Sequence, residues 1–401
     1  MPSRSRRWPA SDALLLVLGL GIAGCGGGTE PKVPTELQKI AGDNQTASLG
    51  QPVALPLTIQ VNDGSGSPVA NVAVTFAATG GTLGTTSAST GANGRASTAF
   101  TPVEMGAQQV TATVVNTSLT TSFTETGVSP FAIELQFLSD VTPAQMTAFT
   151  AARRQWENLI VGDVANVSLN APADSCGTGS PAIQRTVDDL LILVTLTPID
   201  GSGNVLGASA PCYVRVQGRL PVLGLMRLDA DDLDQLQAAG LLQTVILHEM
   251  GHVLGFGTIW TDLNLLADAS PPPGTDPHFT GAQATAAFNA VGGASYVASL
   301  KVPVENTGGP GTADAHWRES VFGNELMTGS VNEVNPLSRV TLGSMADLGY
   351  SVNLAGTDPY TLAPGLRAFT RGPGIELKND VLRVPLHEVD EAGRVVRVIP
   401  R

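Results

Sequence analysis

The sequence predicts two folds in series, an all-β sandwich followed by a mixed α+β domain. Three observations carry this expectation. Residues 35–127 alternate apolar and polar side chains with period two, in short runs separated by turn signals. After residue 128, strand-like runs are interleaved with segments of helical periodicity. Gly, Thr, Ser, Ala and Val abound and only 14% of residues are charged, a composition suited to secreted β-rich proteins. At 401 residues the chain is long enough for two domains with a small appendage.

Residues 1–24 read as an export leader. Arg4, Arg6 and Arg7 form a positive start, and ALLLVLGLGIA (13–23) is an apolar core too short to span a bilayer comfortably. Ile22-Ala23-Gly24-Cys25 resembles the bacterial lipobox, which implies lipidation of Cys25 and anchoring to the cell envelope, at the outer membrane or cell surface. Two or more acyl chains would hold the protein firmly, whereas one binds marginally. An ordinary signal peptide or a short anchor helix is the alternative, but the cysteine sits where cleavage would fall. Residues 25–34, with GGGTEPKVP, then read as a flexible tether. Of the remaining cysteines, Cys176 and Cys212 are an even number in an oxidising compartment, which predicts a disulfide over two unpaired buried thiols. The 22 basic residues are outnumbered by 35 acidic ones, giving a net charge of −13, which argues against nucleic acid as a partner.

In the first domain, Val53, Leu55, Leu57, Ile59 and Val61 are expected on one face, with Ala54, Pro56, Thr58 and Gln60 opposite. Val72, Val74 and Phe76 repeat the pattern, as do Val110, Ala112 and Val114, between the turns NDGSGSP, ATGG and TGANG. The order PVANVAVTF, TGANGRASTAF, GAQQVTATV resembles the bacterial immunoglobulin-like domains of invasin and related surface proteins. No cluster of His, Cys or carboxylates lies in it, so the expected role is a spacer, with adhesion as the other possibility.

The second domain, placed at 128–355, opens with FAIELQFL (131–138) as a strand. Thr142-Pro143-Ala144-Gln145 supplies an N-cap, a proline at the first helical position and a capping-box partner. Met146, Phe149, Ala152, Trp156 and Ile160 follow as one apolar face. LLILVTLTPIDGSGNVLG (190–207) reads as a strand, a turn and a further extended segment, and residues 356–401 read as a β-hairpin tail.

HEMGHVLGFGTIW (248–260) carries the chemistry. A helix beginning near Leu241 places His248 and His252 side by side, where two imidazoles can share one tetrahedral zinc. Glu249 is turned away from ligation but close enough to take a proton from activated water. Gly255 can adopt the left-handed conformation that ends the helix. Five histidines in 401 residues make a chance match a matter of a few per thousand chains, roughly. A metal-free apolar helix would also strand three polar side chains in the interior. Thr258 stands where the short form of the motif has its third ligand, so either the site is weak, with two protein ligands from this stretch, or a third arrives from elsewhere. His278 lies in a proline-rich loop and His387 in the tail, both reading as exposed. His316 stands in GGPGTADAHWRESVFGNELMTG, and the carboxylates Glu305 and Glu319 are the alternatives. Asp229, Asp231, Asp232 and Asp234 suggest calcium, but they lack the glycine and terminal glutamate of an EF-hand loop.

HEMGHVLGFGTIW with AHWRES and NELMTG resembles the leishmanolysin family of metzincin zinc peptidases over roughly residues 128–355. The resemblance implies an α+β metzincin-type fold and one catalytic zinc held by His248, His252 and His316. It also implies Glu249 as general base, Met327 in a methionine-containing turn beneath the metal, and protein or peptide substrates. An adhesin with an idle peptidase fold is the alternative from another class. Eukaryotic members of the family carry a pro-segment cysteine that can block the metal. Here an immunoglobulin-like domain precedes the peptidase region, so no cysteine switch is implied.

Overall fold

The computed structural model describes residues 32–269, 276–297, 301–362 and 374–401. The leader, Cys25 and the first part of the tether lie outside the described residues. Among the described residues no helix is long and apolar enough to cross a membrane.

The first domain is a two-sheet sandwich. Glu36–Ala41, Leu57–Asn62 and Arg95–Thr98 form one antiparallel sheet, and a five-stranded sheet led by Ala73–Ala78, Gly106–Val114 and Thr120–Val128 forms the other. The alternation puts Leu57, Ile59 and Val61 of the first sheet against Val74, Phe76, Val110, Ala112, Val114 and Phe123 of the second, all within 3% of full burial. Each of these side chains larger than alanine contributes about 1.5–3 kcal/mol. Leu55 departs from the expected face and is 56% exposed. It precedes the strand, and its amide is held by the Gln45 side chain in a loop, so period-two logic does not reach it.

The second domain is built on a six-stranded mixed sheet. Its strands are β1 (Ile133–Phe137), β2 (Leu190–Thr197), β3 (Gly207–Arg215), β4 (Pro221–Asp229), β5 (Leu386–Val389) and β6 (Val395–Ile399), in the order β1-β2-β4-β3-β5-β6. β1, β2 and β4 are parallel, β3 runs antiparallel to β4, and β5 lies parallel to β3. Three helices matter for the site: α1 (Pro143–Leu159), α2 (Leu242–Val253) and α3 (Arg339–Leu348). The capping box of α1 forms, with the Thr142 hydroxyl accepting from the Gln145 amide and the Gln145 side chain accepting from the Thr142 amide. Phe149, Ala152, Trp156 and Ile160 are buried as expected from their spacing, but Met146 is 41% exposed. Gln145, one residue earlier, is the first-turn side chain that turns inward, because the cap bond holds it there.

Of the segment expected as a tail, 356–401, the two strands at its end instead belong to this domain's sheet. Its hairpin does form, β5 against β6, but β5 pairs with β3 through Tyr213–His387 and Val214–Glu388. An antiparallel hairpin is visible to local alternation, whereas its partner across 175 residues is not. Cys176 and Cys212 form a disulfide with Cα atoms 5.3 Å apart, tying the loop after Val167–Ala171 to β3.

Candidate metal centre

The helix α2 crosses the sheet at β3 and packs against α1, where the Trp156 indole N–H donates to the Leu247 carbonyl at 2.9 Å. Its end is a Schellman turn: the Gly255 amide bonds the His252 carbonyl and the Phe256 amide bonds that of Gly251, with Gly255 at φ 112°. Gly257 follows with φ 70°, and a Cβ there would lie 2.1 Å from the Ala315 carbonyl oxygen. The chain leaving the helix thus passes directly beneath the residue preceding His316. The Thr258 hydroxyl donates to the His252 carbonyl at 2.8 Å and helps close the turn.

An aromatic cluster holds the His316 loop on that turn. Trp317 packs edge-on against Phe256 at 5.0 Å and lies 5.2 Å from Trp260 and 5.4 Å from Phe322. Such pairs add about 0.5–1.5 kcal/mol each beyond burial. The Trp317 indole N–H donates to Thr341 on α3 at 2.8 Å, and the Thr341 hydroxyl donates to Glu325 at 2.6 Å. Glu325 also accepts from the amides of Met327 (2.7 Å) and Ser338 (3.0 Å). Burial pushes its carboxyl above the ordinary range, against these hydrogen bonds. This buried carboxylate shapes the turn that presents Met327, whose side chain lies against Gly251 so closely that a Cβ there would come within 2.9 Å of it.

His248, His252 and His316 are fully buried and converge. Their Nε2 atoms are 3.0–3.1 Å apart in all three pairings. Each Nδ1 faces a backbone carbonyl: Leu326 at 2.7 Å, Phe256 at 2.9 Å and Thr312 at 2.9 Å, respectively. A carbonyl can only accept, so each Nδ1 carries the proton and each Nε2 presents a lone pair to the common centre. Three facing acceptors repel one another unless a cation lies among them. Ligands of a tetrahedral zinc would sit roughly 3.3 Å apart, close to what is found. The donor set and its tautomers therefore fit zinc.

The site holds a residue that sequence reasoning missed. Asp380, fully buried, brings Oδ2 to 2.9 Å from His316 Nε2, 3.2 Å from His248 Nε2 and 3.8 Å from His252 Nε2. These four side chains form one candidate metal-binding group. Burial lowers the His248 and His252 imidazoles, His252 to about 4. Burial also opposes charge on His316, but the Asp380 carboxylate outweighs it and raises that imidazole. Burial would raise the Asp380 carboxyl too, yet the closeness of the three imidazoles, His316 foremost, holds it well below the ordinary range. No local pattern in LKNDVLRVPL announces this aspartate.

Glu249 is fully buried beside the histidines. Its Oε2 accepts from the Ser209 hydroxyl of β3 at 2.6 Å, and its Oε1 has no hydrogen-bond partner. Burial and the nearby Asp380 charge raise its carboxyl well above the ordinary range, with the Ser209 bond opposing. Of the rival third ligands, Glu305 spends its carboxylate on the amides of Asn306, Thr307 and Glu319, and neither it nor Glu319 belongs to the metal-binding group. His278 lies near Asp268, 3.6 Å away, and His387 stacks on Tyr213 with ring centres 4.5 Å apart. The aspartates considered for calcium cap a turn: Asp229 accepts from the amides of Ile199, Asp200 and Asp231, and Asp232 from Ser202 and Gly203.

Comparison with known proteins agrees with this architecture. Residues 163–360 match the family described as "Leishmanolysin", and residues 43–126 match "Bacterial Ig-like domain (group 1)". A "Leishmanolysin-like peptidase" of Drosophila melanogaster is 41% identical over 64 residues, 16% of this chain and 9% of that protein. A protein of the same description from Drosophila pseudoobscura pseudoobscura is 39% identical over 64 residues and is likewise spanned over 9% of its length. Among solved structures, the D0-D1 domain of intimin is 26% identical, covering 23% of this chain and 44% of its own, with a TM-score of 0.19. The Yersinia pseudotuberculosis adhesin InvE is 19% identical over 24% of this chain and 33% of its own, with a TM-score of 0.21.

Proposed function

Starting from a chain that carries a leishmanolysin peptidase domain behind a bacterial Ig-like domain, we propose that it is a zinc-dependent endopeptidase acting on proteins outside the cytoplasm. The observation that supports this reading best is the convergence of three Nε2 lone pairs beside a buried glutamate. His248, His252 and His316 would hold the ion. Bound zinc acidifies water and polarises a peptide carbonyl. Glu249 acts as the general base: Oε1, its unpartnered oxygen, takes the proton of the attacking water while Ser209 holds Oε2 in place. The same carboxyl then gives the proton to the departing amine. Leu326, Phe256 and Thr312 keep the three imidazoles in the ligating tautomer.

Lipid attachment at Cys25 would tether the enzyme to the bacterial envelope, with the Ig-like domain as a spacer between membrane and peptidase. An adhesin with an idle site would give no role to a buried carboxylate left half unpartnered. The test pairs zinc content with casein cleavage for the wild type, Glu249→Ala and His316→Ala. We expect zinc retained but cleavage reduced by about 10²–10⁴-fold in Glu249→Ala, and both reduced in His316→Ala. A wild-type protein that binds no zinc and cleaves no unfolded protein overturns the peptidase reading.

A further inference from the structure

The segment from Gly374 to Val389 lies across the site from one wall to the other. Ile375–Glu376 pairs antiparallel with Ser330–Val331, just beyond the Met327 turn, and the Leu377 amide donates to the Gly329 carbonyl at 2.9 Å. The Thr312 hydroxyl, from the loop that positions His316, donates to the Leu377 carbonyl at 3.4 Å. Asn379 then takes a left-handed conformation, φ 49°, which asparagine tolerates better than most residues. That turn sends the Asp380 side chain into the group of three histidines. Immediately afterwards the backbone joins β3: the Ser209 amide donates to the Asp380 carbonyl at 2.8 Å, and the Leu382 amide donates to the Ser209 carbonyl at 3.1 Å. The parallel pairing resumes at β5, opposite Tyr213–Arg215.

Two positions that a working peptidase site keeps free are both taken by this one segment. A catalytic zinc keeps one coordination position for water or substrate, whereas a site with four protein ligands is closed. Asp380 Oδ2, within 2.9–3.8 Å of all three Nε2 atoms, stands at the position the histidines leave open. An extended substrate also needs a free sheet edge to pair with. β3 has β4 on one side, and on the other its edge is covered by residues 380–382 and β5. A pocket of ≈ 330 Å³ adjoins the site, and Val381, Leu382, Arg383 and Val384 form one of its walls.

We propose that Asp380 is a displaceable fourth ligand of the metal centre and that residues 379–389 occupy the substrate edge of β3, so that the fold described here is a latent form opened by displacement of this segment. The inference rests on the zinc reading above. It gives latency to a chain whose sequence offers no cysteine for that purpose, and it puts the inhibitory group after the catalytic motif.

The test uses the full chain, loaded with zinc and separately with cobalt(II), as wild type, Asp380→Ala and the near-isosteric Asp380→Asn. Acetohydroxamate serves as the probe, because it must take the same coordination position. We expect stoichiometric metal in all three proteins and hydroxamate binding at least tenfold tighter in Asp380→Ala than in the wild type, with Asp380→Asn between them. The cobalt absorption bands should differ between wild type and Asp380→Ala before the probe is added, and casein cleavage should rise in Asp380→Ala. Identical hydroxamate affinity and cobalt spectra in all three metal-loaded proteins would overturn the proposal while leaving the peptidase reading intact. Loss of zinc from both variants would also overturn it, because a displaceable ligand is not required to hold the metal. A wild type without stoichiometric zinc strikes the peptidase reading itself, a separate failure.

Discussion

The two domains bury their interiors by different means. The sandwich core is an aliphatic and aromatic cluster whose members are placed by neighbours two residues away, and its buried polar side chains, Asn62, Thr90, Thr98, Gln108 and Glu125, include no histidine. The peptidase domain has a larger apolar core, but at its centre it buries three histidines and the carboxylates Glu249, Glu325 and Asp380. Those groups are joined over separations of 64 residues for His252 and His316 and 132 for His248 and Asp380. The difference teaches that one domain is organised mainly for cohesion, without a convergent group of metal-ligating side chains among its described residues. In the other, apolar packing serves to hold polar groups where water would otherwise compete for them.

That contrast can be broken or sharpened by substitution. Every tryptophan of the described residues, Trp156, Trp260 and Trp317, lies in the second domain, so their fluorescence reports on it alone. Phe123→Ala should have the largest effect on stability, about 3–5 kcal/mol on the sandwich. Its circular-dichroism transition should move to lower denaturant while the tryptophan transition and casein cleavage stay in place. A tryptophan transition that moves equally would show the domains to be one cooperative unit. Glu325→Gln should cost about 1–3 kcal/mol, because the amide sets an N–H against the donors that the carboxylate now accepts from. Here the tryptophan transition should shift and the zinc affinity should fall, since Leu326 orients His248. An unchanged affinity would separate the turn from the metal site. Thr142→Ala should cost least, about 1 kcal/mol, through loss of the α1 cap, with no change in zinc affinity measured by competition with a chelator.

Much of this was legible where the information is local. The strand faces of Leu57, Ile59 and Val61, the α1 capping box and the α2 stripe of His248 and His252 all follow from periods of 2 and 3.6. His316 and Met327 were legible only through family resemblance, because tertiary packing of Trp317 and the Glu325 bonds, not sequence spacing, carries them to the helix. Asp380 left no trace. It lies in a stretch whose alternation reads as a plain hairpin, and its role depends on a backbone turn at Asn379 and on pairing with Ser209 that no local period encodes. Leu55 shows the converse limit, continuing a periodic pattern beyond the strand that gives it meaning, and Met146 sits in the first turn of α1, where the capped Gln145 turns inward instead.

Asp380 is covalently part of the chain whose metal centre it faces, and this has a consequence for competition. A tethered group acts at an effective concentration on the order of millimolar when its linker can span the sites. Any carbonyl arriving from solution meets that local concentration, which does not fall on dilution. Under the proposed latency, the outcome at micromolar substrate therefore turns on whether the segment after Asn379 stays paired with Ser209, and only secondarily on how well the substrate fits.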